Sequence, residues 1–374
     1  MKIAVNTRFL LSDYLEGYGY FQYETLKRIV KNHPEHQFLF IFDRPFDKRF
    51  VFAENVTPII ASPPARHPLL WKLWYDIKIP IVLRKHGADV FVSCDGFCSL
   101  TTKVRQCIVV HDLSFLHYPS FIKKSHLLFY KRYTPKFLQR ANVIVTVSEF
   151  SKKDIIFQYK INPEKINVVY SASKEIFQPV NDEDKKVIRE KYTNGNNYFV
   201  YAGAIHPRKN LVNLLKAFSI FKKRQKSNWK LVLAGRLAWK YDSFMKSLSS
   251  YKYRSDVVLT GYIEENELVK IIGSAYALVY PSVWEGFGVP VLEAMNCHIP
   301  AITSLGSAMQ EIAGESALYA NTDDFNDIAD KMMLIYKDES LRNRLIEKGK
   351  QTVQQYSWDK TADLLWQSII KSAT

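Results

Sequence analysis

Short, nearly unbroken apolar runs recur along the chain, each followed by residues at helical spacing. Phe38–Phe42, Asp89–Ser93, Cys107–Val110 and Val143–Val147 are runs of this kind. A strand that is apolar at every position, not at alternate ones, is covered on both faces, which is the signature of a parallel sheet flanked by helices. Parallel neighbours need a long crossover, and the helical stretches between the runs supply it. Lys2–Asn6 reads as the first strand of this set and Ile166–Tyr170 as its last.

From Ser171 to Gly195 the composition turns polar, with Pro179, the run NDEDKK and the turn-forming TNGNN. The pattern then restarts with strands expected at Tyr198–Gly203, Lys230–Ala234, Val257–Thr260, Ala275–Tyr280 and Pro300–Thr303. At 374 residues the chain exceeds one ordinary core and suits two domains. The expected class is α/β, with two Rossmann-like halves at 1–178 and 179–355 and a final helix in 356–374. Ser357 suits the N-cap of that helix, and its apolar positions Leu364, Leu365 and Ile369 can pack on either half.

Composition narrows the function classes. With 47% hydrophobic residues the chain is globular. Cys94, Cys98, Cys107 and Cys297 show neither zinc spacing nor a disulfide framework, so a reducing, cytoplasmic compartment is expected. No apolar stretch is long enough to span a bilayer, and the N-terminus reads as a strand, not a secretion signal. The formal charge of +15 calls for an acidic partner. The excess gathers in residues 66–86, which hold Trp71, Trp74 and Tyr75, and in residues 121–140, which carry six Lys or Arg and no acid. Such aromatic, basic helices suit an anionic membrane surface, although a solvated basic face over a core helix has the same composition. A nucleic-acid partner is not expected, because no reader motif appears.

In open α/β sheets ligands bind beyond the carboxyl ends of the strands, so the polar residues there are the candidates. His111 and Asp112 follow Val109-Val110. Gly17-Tyr18-Gly19 follows the first strand, in a loop expected to open a helix at about Tyr20. Its spacing is not Gly-x-Gly-x-x-Gly, which argues against a dehydrogenase. In the second half, Gly203 leads through His206 and Pro207 to Arg208 and Lys209 at a helix start, where two cations and the helix field suit a diphosphate. Gly235-Arg236 and Gly261-Tyr262 end the next two strands. The stretch YPSVWEGFGVPVLEAMNCHI, Tyr280 to Ile299, then places Glu285 in a loop with Gly286 and Gly288, and Glu293 eight residues on, in a helix that Pro290 helps to start. Independent solvated turns would not line up so regularly.

Taken together, EGFGVPVLE with its E-x7-E, GAIHPRKN with its Arg-Lys pair, Gly261-Tyr262, His111-Asp112, the early glycine loop and Ser148 to Ser151 resemble a family-four retaining glycosyltransferase of the two-Rossmann-domain (GT-B) type. The resemblance covers nearly the whole chain. It implies two sheets facing across a cleft and a last helix that crosses back to the first, acceptor-side domain. It implies that Arg208 and Lys209 hold a diphosphate, that Glu293 takes ribose hydroxyls, and that Arg236 and Tyr262 line the base pocket with Gly203 nearby. Glu285 and the backbone of Gly286, Phe287, Gly288 and Val289 would meet the donor sugar. His111 would reach a sugar hydroxyl, and Gly17 and Gly19 would face the phosphates and the acceptor. The early loop departs from the commoner Gly-Ile-Gly form by placing Tyr18 between its glycines. No DxD-like motif is placed for a metal, so none is expected, and the cations take its part. The donor implied is a nucleotide sugar: the segments HDLSFLHYP and VSEFSKKDI resemble mannosyltransferases and favour GDP-mannose, with UDP-sugars as alternatives. The acceptor implied is a glycan or lipid-linked glycan. A nucleotide-sugar epimerase of the same shape and a non-catalytic sugar-nucleotide-binding protein are the rival readings.

Overall fold

A computed structural model describes residues 1–12, 15 and 17–374. The chain divides into two compact units, Met1–Ser171 with Ser357–Thr374, and Ala172–Tyr356. The division falls at the first residue of the polar stretch, not at 178. Residues just beyond it are tied into unit 2, through Ser173 to Asn296 and Lys174 to Glu265.

Unit 1 is built on seven parallel strands: β1 (Lys2–Asn6), β2 (Gln37–Phe42), β3 (Val56–Ile60), β4 (Val90–Ser93), β5 (Arg105–Val109), β6 (Val143–Thr146) and β7 (Ile166–Val168). Their order is β3-β2-β1-β4-β5-β6-β7. The central strand β1 pairs Ile3 with Phe38 on one side and with Val90 on the other. Every residue of β4 and of β6 is buried, as strands covered on both faces require. The edge strand β3, VTPII, was not expected from the sequence. Pro58 interrupts its run and cannot donate to a ladder, which confines such a strand to a sheet edge.

Unit 2 repeats the architecture with six parallel strands: β8 (Tyr198–Ala202), β9 (Lys230–Ala234), β10 (Val257–Gly261), β11 (Ala277–Tyr280), β12 (Ala301–Ser304) and β13 (Ala317–Ala320). The order is β10-β9-β8-β11-β12-β13. The four-residue edge strand β13, ALYA, also escaped the sequence reading, being short and only half buried.

The helix Trp358–Ala373 belongs to unit 1. Ser357 caps it by accepting from the Lys360 amide. Its buried face is Trp358, Ala362, Leu365 and Ile369, and Leu364 is only partly buried. Trp358 packs edge-on against Tyr20 and Phe21 of the helix Gly17–Asn32, and the Arg28 guanidinium pairs with Asp359 at 2.6 Å. The Thr361 hydroxyl donates to the Tyr170 carbonyl at 2.7 Å.

Candidate active site

In unit 2 the chain runs β8, β9, β10 in one direction and then returns to place β11 on the other side of β8. The crevice at such a reversal, beyond the carboxyl ends, is where doubly wound sheets take ligands. The loops on either side of it are those after β8 and β11, which carry Arg208, Lys209 and Glu285.

The first loop tightens into a single 3-10 turn, Pro207–Lys209, stopped by Asn210 in the left-handed region at φ 60°. The turn aims both cations at the second loop, and the two loops are also tied through the backbone: Val283 N–H donates to the Arg208 carbonyl at 2.9 Å, as does the Ser282 hydroxyl at 3.1 Å. Arg208 Nη1 donates to the Trp284 carbonyl at 2.8 Å and lies 3.3 Å from Glu285 Oε2. Lys209 Nζ meets Glu285 Oε1 at 2.5 Å and also the Tyr280 hydroxyl. The Ser282 and Tyr280 hydroxyls complete the set around Oε1. Buried Glu285 and Lys209 therefore form one cluster with partly buried Arg208 at the topological switch.

The second loop ends in the helix Val289–Asn296, with Gly288 at its N-cap and Pro290 in its first turn. Gly288 has φ 103°, and a Cβ there would meet Met309 Cγ at 2.4 Å, so no other residue fits the bend. Phe287 is buried edge-on against Tyr356. Glu293 follows in the helix, also buried.

The two glutamates of this stretch are driven in opposite directions. Burial raises Glu285, but Arg208 and Lys209 more than offset it and hold the carboxyl down at about 2. Burial also raises Glu293, Lys174 opposes this only weakly and Glu265 adds to it, so the carboxyl is pushed up to about 7.

The sequence reading did not single out Tyr280, Ser282 or His206. Tyr280 and Ser282 stand inside the stretch itself, read there only as the end of a strand. His206 is buried, stacked on Trp239 with ring centroids 4.4 Å apart, and burial followed by the charges of Lys209 and Arg208 lowers it to about 3. Its signal was its place one residue ahead of Pro207. Gly203 follows β8 under Tyr201, whose hydroxyl donates to the Ala204 carbonyl. Arg236 is exposed beyond β9, its carbonyl accepting from Ile205, and its charge acts on His206. Tyr262 is 70% exposed, and no contact joins it to the Glu285 cluster among the described residues.

His111, Gly17 and Gly19 lie in unit 1, beyond β5 and β1. His111 Nε2 is 3.1 Å from the Cys94 carbonyl. A carbonyl only accepts, so Nε2 carries the hydrogen and Nδ1 keeps a lone pair. Tyr18 stacks on the imidazole at 4.4 Å, Phe21 meets it edge-on, and burial lowers it to about 4 despite the Cys94 carbonyl and Asp112. Gly17 and Gly19 are not in a loop as expected but in the first turn of the helix Gly17–Asn32. A Cβ at Gly19 would come within 2.5 Å of the Phe9 carbonyl, so the glycine lets the helix start against the chain leaving β1. The same end of unit 1 holds a cluster that the sequence did not reveal. Arg8 Nε pairs with Asp95 at 2.6 Å, and Asn6, Ser93 and Tyr75 hydrogen-bond the same carboxylate. Among the described residues no group of three or more His, Cys, Asp or Glu side chains is placed to hold a metal.

Comparison with known proteins places the chain. Residues 182–352 match the family model described as glycosyl transferases group 1, and residues 21–172 match glycosyltransferase family 4. The O-antigen chain mannosyltransferase RfbU of Salmonella typhimurium is 31% identical over 276 residues, 73% of this chain and 72% of RfbU. The O-antigen chain mannosyltransferase B of Escherichia coli is 27% identical over 256 residues, 68% and 67% of the two chains. Two solved structures share the fold at 14% identity: WaaG, a glycosyltransferase involved in lipopolysaccharide biosynthesis, with TM-score 0.75 over 98% of this chain and 99% of WaaG, and Anabaena HepE in complex with UDP-glucose, with TM-score 0.76 over 99% of each. The chain belongs to the family-four glycosyltransferases of the two-Rossmann-domain (GT-B) type.

Proposed function

We propose that the enzyme transfers mannose from GDP-mannose, with retention of anomeric configuration, to a glycan or lipid-linked glycan acceptor in cell-surface polysaccharide synthesis. The observation that carries the reading is the convergence of Arg208 and Lys209 at the switch point of unit 2. The names of the relatives, O-antigen chain mannosyltransferases, support the sugar and the pathway class.

In the proposed reaction the bond from the sugar C1 to the diphosphate breaks, charge grows on the leaving phosphate, and Arg208 and Lys209 oppose it. Fixed cations aimed at developing charge are among the strongest catalytic devices. The acceptor oxygen bonds to C1 on the face the phosphate leaves, and its proton passes to the departing phosphate oxygen. Glu285 is a poor covalent nucleophile, since both of its oxygens are engaged and its pKa is held at about 2. Its part is to hold sugar hydroxyls and to keep the cations aligned. Glu293 takes the ribose hydroxyls, and neutral His111 accepts from a sugar hydroxyl through Nδ1. Arg236 and Tyr262 flank the base, with Gly203 and the Gly286–Val289 backbone shaping the donor site and Gly17 and Gly19 the acceptor side. The reading needs no metal.

The test is thermal shift against a panel of nucleotide sugars, followed by product analysis. GDP-mannose should give the largest rise in Tm, and GDP release should depend on acceptor. Stabilisation by UDP-sugars alone would overturn the donor. Epimerised or hydrolysed sugar formed without acceptor would favour the epimerase reading, and binding without turnover the non-catalytic one.

A further inference from the structure

Unit 2 carries a second concave site, at the opposite ends of its strands from the Glu285 cluster. A cavity of about 270 Å³ opens at the amino ends of β11 and β12, where Ala275 and Ile299 lead into the two strands. Its apolar floor also includes buried Cys297 and Gly273, where a Cβ would strike Val180. Doubly wound sheets take their substrates beyond the carboxyl ends, so this cavity is no part of the donor crevice.

The rim is basic. Lys185 and Arg189 of the helix Asp182–Thr193, Arg342 of the helix Glu339–Val353, and His298 line it, each partly buried, and no Asp or Glu lines it among the described residues. Residues four apart share a helix face, which brings Lys185 and Arg189 to the cavity together. The arginines are fixed by backbone. Arg189 Nε donates to the Ser274 carbonyl at 3.1 Å, and Arg342 Nε to the Tyr276 carbonyl at 3.3 Å. These carbonyls stand on either side of Ala275, so two guanidiniums are held over one short stretch of chain. Arg342 also lies over the Tyr276 ring, 4.3 Å from its centroid.

With Nε engaged on each arginine, the terminal nitrogens can turn to a ligand. The acids paired with this rim are Asp182, 3.2 Å from Lys185, and Glu339, 3.0 Å from Arg342, and both carboxylates are largely exposed. Exposed pairs of this kind are worth little, so they yield to an anion held by several cations at once. His298 enters the wall from the left-handed region at φ 57°. Burial, Lys350 and Lys185 lower its imidazole, with Glu347 opposing.

We propose that this cavity binds the phosphate group of a small phosphorylated metabolite, with the phosphate on Arg189, Arg342 and Lys185 and the short organic part on the apolar floor. Guanidinium forks match phosphate oxygens in geometry as well as charge. The cavity is smaller than the roughly 300–1,000 Å³ of sites for drug-sized ligands, which suits a short phosphate ester and not a whole nucleotide sugar. The inference is independent of the donor sugar.

Calorimetric titration of the full chain tests it, with glycerol 3-phosphate, inorganic phosphate and glycerol as probes at constant ionic strength. Glycerol 3-phosphate should bind saturably and more tightly than inorganic phosphate, and glycerol should not bind. The variant Arg189→Gln, Arg342→Gln should bind it at least ~10-fold more weakly. Lys185→Gln removes a side chain paired only with exposed Asp182, so it should weaken binding while leaving the Tm of the free protein unchanged. Lys209→Ala should bind glycerol 3-phosphate as the unaltered chain does. No saturable binding, undiminished binding in both cavity variants, inorganic phosphate binding as tightly as the ester, or a loss confined to Lys209→Ala, which would put the phosphate in the donor crevice, would each overturn the assignment.

Discussion

In unit 1 the strand order reverses between β1 and β4, in unit 2 between β8 and β11, and both reversals set a buried cation against a carboxylate. The Arg8 and Asp95 side chains are 4% and 2% exposed, and Asn6, Ser93, Tyr75, the Phe97 amide and the Ala65 carbonyl hydrogen-bond the pair. The aromatic rings of Phe9, Trp71, Tyr75 and Phe97 surround the guanidinium. In unit 2, two cations turn to one carboxylate, and the Arg208 side chain remains 22% exposed. The first pair is thus sealed, whereas the second cluster reaches solvent through Arg208. A sealed pair fixes the backbone around it. Through Arg208 the second cluster can exchange a carboxylate contact for that of a phosphate, as the proposed function requires.

The largest effect should come from the sealed pair. Arg8→Ala leaves Asp95 ionised and buried without its partner, and removing one member of such a pair costs about 3–5 kcal/mol. Urea unfolding should show it, and Arg8→Lys should rescue little, since an ammonium cannot reach Asp95 and the Ala65 carbonyl together as the guanidinium fork does. Lys209→Ala should behave in the opposite way. Glu285 keeps Arg208, Ser282 and Tyr280, so the fold persists, while transfer falls by roughly 10²–10³-fold, the usual loss for one oriented charge-stabilising group. If Lys209→Ala unfolds as early as Arg8→Ala and transfers normally, the contrast between the two crevices is wrong.

How far the sequence foretold this contrast follows from the range of the interactions. Strands buried on both faces leave a local signature, and β1, β2, β4 and the strands at both reversals were readable from it. The edge strands β3 and β13 were not, because Pro58 and a four-residue, half-exposed run leave no such signature. Arg208, Lys209 and Glu285 were legible because each lies in the loop that follows a strand, where topology rather than sequence distance brings loops together. The pairing of Arg8 with Asp95 spans 87 residues and belongs to no motif. The π turn at Trp74–Lys78 depends on contacts with Leu100 and Thr101, which no periodicity over residues 66–86 encodes.

The comparison sharpens further within unit 2, between its two glutamates. Glu293 is pushed up to about 7, above the ordinary carboxylate value, so the folded state holds its proton where the unfolded chain has lost it. Its favourable contribution is complete below the unfolded value and is lost as pH rises to about 7, roughly 2–4 kcal/mol across that window. Glu293→Gln should flatten that part of the stability profile. Donor binding should run the other way, strengthening as pH rises through 7, because an ionised carboxylate is the better acceptor for ribose hydroxyls. Glu285, held at about 2, should act on the other side: its contribution is complete above the unfolded glutamate value and is lost as pH falls from there toward 2, leaving the slope near pH 7 to Glu293. A stability profile unchanged by Glu293→Gln would place the buried charge elsewhere.

The smallest expected effect separates the two histidines, and it tests the same contrast by another route. His111 lies under Tyr18 and His206 under Trp239, each pair at 4.4 Å, and burial is the main reason that both imidazoles stay neutral. Their neighbours differ. The Cys94 carbonyl and Asp112 favour the charged form of His111, whereas Lys209 and Arg208 oppose the charged form of His206. Tyr18→Ala should therefore let His111 return close to the ordinary histidine value, while Trp239→Ala should leave His206 well below it. Both covers are partly exposed, so each change should cost no more than about 1 kcal/mol of stability. Proton titration followed by NMR reads the two pKa values directly. If His206 recovers as fully as His111, the field of Arg208 and Lys209 does not reach the ring beside them, and the positive character assigned to the second crevice fails with it.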